Sequence, residues 1–336
     1  MRKIRWGVLG AARIATVKVI PAMQKCELCE IAAIASRDKA KAEAAAREFG
    51  IARAYGSYEE LLADPAIDAI YNPLPNHLHV PWSIRAAEAG KHVLCEKPIG
   101  LSAAEARELI AARDRTGVVI GEAFMIQTHP QWLRAVELAR SGRIGAMRGA
   151  VGTFGYFNRD ARNVRNVREW GGGALMDIGC YPIKGSRMVF GQEPLSVCGA
   201  MVRDPDFGTD ILTSAVLEFP SGHCVFTCGT QIAPCQSMQF LGTKGRVELE
   251  IPYNAPPGRP ARIRIDDGSD VTGANVITEE FAPCDQYTLQ GDAFSRAVLE
   301  GGQPPVPLED SLRNMAVIDA ILRSVESGRR ELPRIE

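Results

Sequence analysis

Cys95-Glu96-Lys97-Pro98 places a lysine where a short apolar strand, 92–95, leaves the core. Ligands of open α/β sheets bind outside the carboxyl ends of the strands, so a lysine there can meet substrate or cofactor. Pro98 keeps Lys97 out of the helical region, and a cis bond between them is one way to fix its direction further. A surface lysine before a turn fits the tetrapeptide equally well. A second cluster lies in Gly171-Gly172-Gly173-Ala174-Leu175-Met176-Asp177-Ile178-Gly179-Cys180-Tyr181-Pro182. Three glycines opening a helix allow backbone to approach a ligand, and Asp177 and Tyr181, four residues apart, share a helix face. Pro182 fits if it marks a kink after the tyrosine. The competing reading is a buried tyrosine with a capping aspartate.

Near the start, Gly10-Ala11-Ala12-Arg13-Ile14-Ala15 falls between a strand and a helix. A dinucleotide loop needs a glycine for its tight turn, a small residue facing pyrophosphate and another where helix meets strand. Gly10, Ala12 and Ala15 fill those places, with alanine twice where glycine is usual; an ordinary βα turn is the alternative. The second strand ends in Ala35-Ser36-Arg37-Asp38. Ser36 can donate to a ribose phosphate and the Arg37 fork matches a 2′-phosphate, so NADP is expected ahead of NAD. Asp38 fits the N-cap of the next helix. In Asn72-Pro73-Leu74-Pro75-Asn76-His77, two prolines hold the chain extended as a pocket wall. There Asn72 offers an amide to the cofactor, and Asn76 is expected to cap the following helix.

Elements at βαβ spacing must position these residues. Strands are predicted at 4–9, 30–35, 54–55, 69–72, 92–95 and 118–120, with helices between, which gives a doubly wound parallel sheet over 1–122. Over 123–336 the pattern becomes α+β. Helices at 131–141 and 173–190 accompany strands at 147–157, 197–202, 213–219, 223–232, 237–242 and 246–251, and helices at 286–300 and 309–327 close the chain. The fold class is therefore α/β plus α+β, with a mostly antiparallel second sheet.

The chain has 336 residues, a formal charge of -1 and nine cysteines. The charge gives no reason to expect nucleic acid or an anionic membrane surface as partner. No apolar run approaches the ~20 residues of a membrane span. An odd number of scattered cysteines fits reduced thiols and a cytoplasmic protein. Cys26-Glu27-Leu28-Cys29 has zinc-knuckle spacing, but no second pair lies at ribbon distance, so it is read as two cysteines flanking a strand. His77-Leu78-His79 lacks carboxylates nearby and is read as a polar pocket wall. No metal is expected.

Taken together, Glu96-Lys97-Pro98, 72–79, Glu122-Ala123-Phe124-Met125, His129-Pro130-Gln131, 171–181, 240–252 and 285–296 resemble the glucose–fructose oxidoreductase / inositol dehydrogenase family. Tyr181, where many members have histidine, is similar to the branch holding xylose dehydrogenases, dihydrodiol dehydrogenases and aldose–aldose oxidoreductases. The resemblance implies a Rossmann domain, a second domain with an open sheet, and homodimers through that sheet. It implies a cofactor site of Gly10, Ala11, Ala12, Arg13, Ile14, Ser36, Arg37, Asn72, Pro73, Leu74, Asn76, His77, Glu96, Lys97 and Arg165. Its substrate candidates are His79, Lys97, Met125, Asp177, Tyr181 and Tyr287; for His79, Arg165 and Tyr287 a structural role fits as well.

Oxidising an alcohol sends a hydride to nicotinamide and a proton to a base. A tyrosine with pKa near ~10 is a poor base at neutral pH unless a cation favours its anion. Tyr181 is thus expected as acid/base, with Lys97 as electrostatic partner and Asp177 on another substrate hydroxyl; a scheme with Lys97 as proton acceptor stays open. The expected reaction is NADP-dependent oxidation of an aldose at C1 to a lactone. Alternatives are an aldose–aldose oxidoreductase with retained NADP, a dihydrodiol dehydrogenase, a ketosugar reductase, and an NADP-binding sensor, against which the Lys97/Asp177/Tyr181 set argues. Ile126-Gln127 stand where relatives often carry Tyr-Arg, which puts the sugar in doubt. The short stretch before Trp6 holds no cofactor-clasping arm, so an exchangeable cofactor is expected.

Overall fold

Near-continuous apolar runs bounded by capped helices build the first sheet of the computed structural model, which describes residues 2–335. In chain order these are β1 (Ile4–Leu9), α1 (Ile20–Met23), β2 (Cys29–Ala35), α2 (Lys39–Phe49), β3 (Arg53–Tyr55), α3 (Tyr58–Leu62), β4 (Ala69–Asn72), α4 (His79–Glu88), β5 (His92–Glu96), α5 (Ala103–Thr116) and β6 (Ile120–Ala123). The strands are parallel, in the order β3-β2-β1-β4-β5-β6. Trp6, Val8, Ile34, Ile70 and Leu94 are buried within it, as a sheet covered on both faces requires. Strand order reverses between β1 and β4, and ligands of such sheets bind at that switch point. Local chemistry starts the helices as expected: Asp38, Ser57 and Ser102 accept from the backbone N–H groups of Ala40, Glu60 and Glu105. β6 begins two residues later than predicted, because its partner Val93 pairs with Ile120.

The second sheet has eight strands in the order β14-β13-β12-β11-β7-β10-β9-β8. Its elements follow α6 (Pro130–Arg140): β7 (Met147–Phe157), α7 (Cys180–Phe190), β8 (Ser196–Arg203), β9 (Asp210–Phe219), β10 (Gly222–Gly229), β11 (Gln231–Gly242), β12 (Gly245–Leu249), β13 (Ala261–Asp266) and β14 (Ile277–Phe281). Pairing is antiparallel except between β7 and β10. β13 and β14 were not predicted; they lie at the sheet's end, where short strands full of charge carry little apolar signal.

Two helices follow, α8 (Gln286–Glu300) and α9 (Leu308–Ser327). The chain divides into one compact unit of the residues up to Thr128 with Asp285–Leu312, and another of His129–Cys284 with the residues from Arg313 onward. The division therefore departs from a single boundary at 122. α8 belongs with the parallel sheet, where Phe294 packs on Trp6 at 5.4 Å and Ser295 Oγ accepts from Trp6 Nε1 at 3.2 Å. An amphipathic helix carries no mark of which unit it will cover, so only tertiary packing decided this.

Candidate active site

The turn after β1 suits a dinucleotide. Gly10 takes φ +87°, and a Cβ there would lie 3.3 Å from Leu74 Cδ2 and 3.5 Å from Tyr58 Oη. Gly10 N donates to Ala35 O, closing the ends of β1 and β2 together. Ala11, Ala12 and Ile14 are partly exposed, Arg13 is exposed and Ala15 is buried. The helix opens at Ile14 as a π turn, Ala15–Val19, and its start has no side-chain cap. At the end of β2, Ser36 Oγ accepts from Asp38 N at 3.2 Å and Arg37 is exposed. Tyr58 packs edge-on against Trp82, near enough to Arg37 for that charge to oppose the rise burial gives its phenol; no sequence pattern marked it. These groups fit a phosphorylated ribose beside Arg37.

The segment after β4 is held differently from the expectation. Asn72 is wholly buried: its Nδ2 donates to His79 O and Ser83 Oγ, both at 3.0 Å, and its Oδ1 accepts from Leu74 N. Its amide therefore braces the wall, and is not on offer to a cofactor. Asn76 opens a 3-10 turn, Asn76–Leu78, and no side chain caps that turn or α4. His79 is also corrected as a substrate contact. It is 1% exposed, with Nε2 2.6 Å from Leu74 O and Nδ1 2.7 Å from Pro98 O. The ring ties the 72–75 wall to the Lys97–Pro98 turn, and burial lowers its pKa to about 4 against the pull of the two carbonyls.

Lys97 follows the fifth strand, partly exposed, and its bond to Pro98 is cis. Beside it, Glu96 Oε1 accepts from Tyr71 Oη at 2.7 Å and Oε2 from Lys97 N at 3.3 Å. Burial, reinforced by Glu96, pushes the Tyr71 phenol far up, so Tyr71 is a fixed donor. Glu96 is thus largely a strut for the lysine's turn. Met125 is buried in a 3-10 turn, Met125–Thr128. Tyr287 is partly buried at the start of α8, against the core of the same unit, with its phenol pushed up by burial and then by Glu96.

In the second unit, the predicted helix over 173–190 is a π turn, Leu175–Gly179, running into α7. The irregularity precedes Tyr181 instead of following it, with Pro182 inside α7; π turns recur at functional sites. Gly172 and Gly173 are packed against the protein's own groups, Gly172 against the Arg165 and Val167 carbonyls and Gly173 against Asp210. Gly173 has φ +117°, and a Cβ there would collide with Asp210 Oδ1, while Asp210 Oδ2 accepts from Leu175 N at 2.7 Å. Asp210 fills the helix start that was read as an opening.

Asp177 is buried, and its Oδ2 accepts from Tyr156 Oη at 2.6 Å and Arg165 Nε at 2.7 Å. Asp177 first, then Tyr156 and Tyr181 among other causes, raises the pKa of Arg165. Burial, followed by Asp177, raises that of Tyr156. Asp177 and Arg165, expected on substrate and cofactor, are engaged with each other; Tyr156, which no sequence pattern marked, completes the trio. The Tyr181 ring is 5% exposed and packs on Phe154 at 5.5 Å and Tyr253 at 5.3 Å. Such packing fixes a ring's direction.

Among the described residues no helix is long and apolar enough to cross a membrane. The description "oxidoreductase family, NAD-binding Rossmann fold" matches residues 4–124, and "GFO/IDH/MocA C-terminal domain" matches 132–248. An uncharacterized oxidoreductase of Rhizobium meliloti is 49% identical, covering 98% of this chain and 99% of its own. A D-xylose 1-dehydrogenase (NADP(+)) of Haloferax volcanii is 41% identical over 96% and 98%. The crystal structure of a 3-ketoreductase from Actinomadura kijaniata, in complex with NADP and TDP-benzene, aligns with a TM-score of 0.90 at 31% identity, covering 96% and 98%. With both domain models matched and relatives similar along nearly its full length, the chain belongs to the GFO/IDH/MocA family of oxidoreductases and carries an NAD-binding Rossmann domain.

Proposed function

We propose that this oxidoreductase is an NADP-dependent sugar dehydrogenase that oxidises an aldose at C1 to its lactone. The chain-long similarity to a D-xylose 1-dehydrogenase (NADP(+)) carries the reading. Exposed Arg37 beside Tyr58 supports the 2′-phosphate preference. NADP+ would take the hydride from C1. The reading requires Lys97 and Tyr181 to meet at one substrate: Tyr181 takes the C1 hydroxyl proton, and Lys97 stabilises the phenolate and donates to the sugar oxygen. A cation near a phenol favours its anion, and Arg165 adds a second positive charge on the tyrosine's own unit. Asp177 then serves as the counter-ion that positions Arg165. His79, Asn72 and Glu96 keep the lysine's turn and the pocket wall in register. The subunits would pair through the open face of the eight-stranded sheet, and the protein would work in the cytoplasm.

Absorbance at the reduced-nicotinamide band tests this with an aldose panel and added NADP+ or NAD+. NADP+-dependent turnover of an aldose, with Tyr181→Phe lowering kcat by about 10^2–10^4 and leaving NADPH binding in place, is the expected result. Turnover only of a 3-keto sugar with NADPH would favour reduction, the chemistry named for the Actinomadura relative. No turnover with either, or full activity in Tyr181→Phe, would refute the assignment.

A further inference from the structure

We propose that Cys26, Cys29 and Asp292 form a binding site for one thiophilic divalent cation of the Zn2+ class, separate from the hydride chemistry. The Cys-X-X-Cys spacing lacks further ligands nearby in sequence, but the fold brings one from α8. The two sulfurs and a carboxylate oxygen of Asp292 lie within 4.8 Å of one another. Both cysteines are buried and Asp292 is half-buried, so the carboxylate marks the open side. Asp292 is already aimed at the cysteine turn: Oδ1 accepts from Leu28 N at 2.9 Å and Oδ2 from Glu27 N at 3.3 Å. Each carboxylate oxygen has a second lone pair left for a cation. Gly291 permits the approach, since a Cβ there would lie 3.0 Å from Cys26 Sγ and 3.3 Å from Cys29 Sγ.

The donor set decides the cation. Two thiolates and a carboxylate suit Zn2+ or Cd2+, whereas Mg2+ and Ca2+ take oxygen alone. Further oxygens stand beside the sulfurs for a fourth place: Thr288 O is 3.2 Å from Cys26 Sγ, and Ser295 Oγ is 3.2 Å from Cys29 Sγ. A dication binds such a pair by displacing both thiol protons. Buried sulfurs are reached more easily by a small cation than by a bulky disulfide reagent. The bound ion would pin the turn before β2, the strand leading to Arg37, onto α8.

The test titrates Cd2+ and then Zn2+ into reduced, chelator-treated full-length protein. The more accessible Cys198, Cys235 and Cys284 are replaced by serine to remove competing thiols. One equivalent of Cd2+ should raise the thiolate-to-cadmium charge-transfer absorption, with Zn2+ displacing it. The band should vanish in Cys26→Ser and Cys29→Ser. Asp292→Asn should bind at least about tenfold more weakly, the least that losing a metal site's supporting partner costs. Unsubstituted protein should show a thermal midpoint that rises with Zn2+ and returns with chelator, a readout needing no variant. No cadmium band together with no midpoint shift overturns the site. So does a band that persists in Cys29→Ser, or a Cys26–Cys29 disulfide formed in air by protein that binds neither metal.

Discussion

His79→Gln separates a clamp from a substrate contact. The wild-type ring faces two buried carbonyl oxygens, Leu74 O at 2.6 Å and Pro98 O at 2.7 Å. Burial, helped by the charge of Lys97, holds its pKa at about 4, so near pH 7 the ring is neutral and donates to one of the two. Glutamine cannot take the ring's place between the two segments, so the one buried hydrogen bond the ring donates is lost at a cost of about 1–3 kcal/mol. Acid changes the comparison. The unfolded histidine binds its proton near ~6.5 and the folded one only near about 4, so between those values the unfolded chain holds more protons. Wild-type stability therefore falls as pH drops through that window, by about 3 kcal/mol once it has been crossed. Glutamine does not titrate, and His129, also lowered to about 4 by burial, is present in both proteins and cancels. The variant's deficit in urea midpoint should be full near pH 7 and shrink on acidification. A deficit that stays constant with pH, or is absent at neutrality, would refute the clamp.

Arg37→Ala should raise the KM for NADP+ by about 10- to 100-fold and leave NAD+ unchanged, as expected for losing a charged hydrogen bond; equal effects on both would remove Arg37 from the 2′-phosphate. Tyr156→Phe deletes the 2.6 Å bond to Asp177 but leaves Arg165 in place, so kcat should fall about tenfold with cofactor affinity intact. A selective loss of cofactor binding would argue against that positioning role. Val151, Val225 and Val216 lie opposite one another across β7, β10 and β9, and all three are exposed. Val225→Asp should shift sedimentation from dimer to monomer, and an unchanged profile would move the subunit contact elsewhere.

Most of the parallel sheet could be read from the chain alone, because its signals are local: apolar runs, capping residues and turn glycines each act within a few residues. The placement of Lys97 just after a strand and before a proline was legible for the same reason. The partners of the site residues were not. Asp210 closes the helix start at Leu175, Tyr156 and Arg165 take Asp177, and Tyr71 takes Glu96, each across sequence that carries no record of the meeting. His79 reads as a polar residue facing a pocket, and only burial between two carbonyls makes it a brace. α8 reads as part of the second domain until Phe294 finds Trp6. Periodicity and caps are properties of neighbouring residues, so the sequence by itself determined the elements and the residue types able to do the chemistry. Burial and hydrogen-bond partnership depend on which distant segments pack together, so tertiary structure alone decided which of those residues are held as braces.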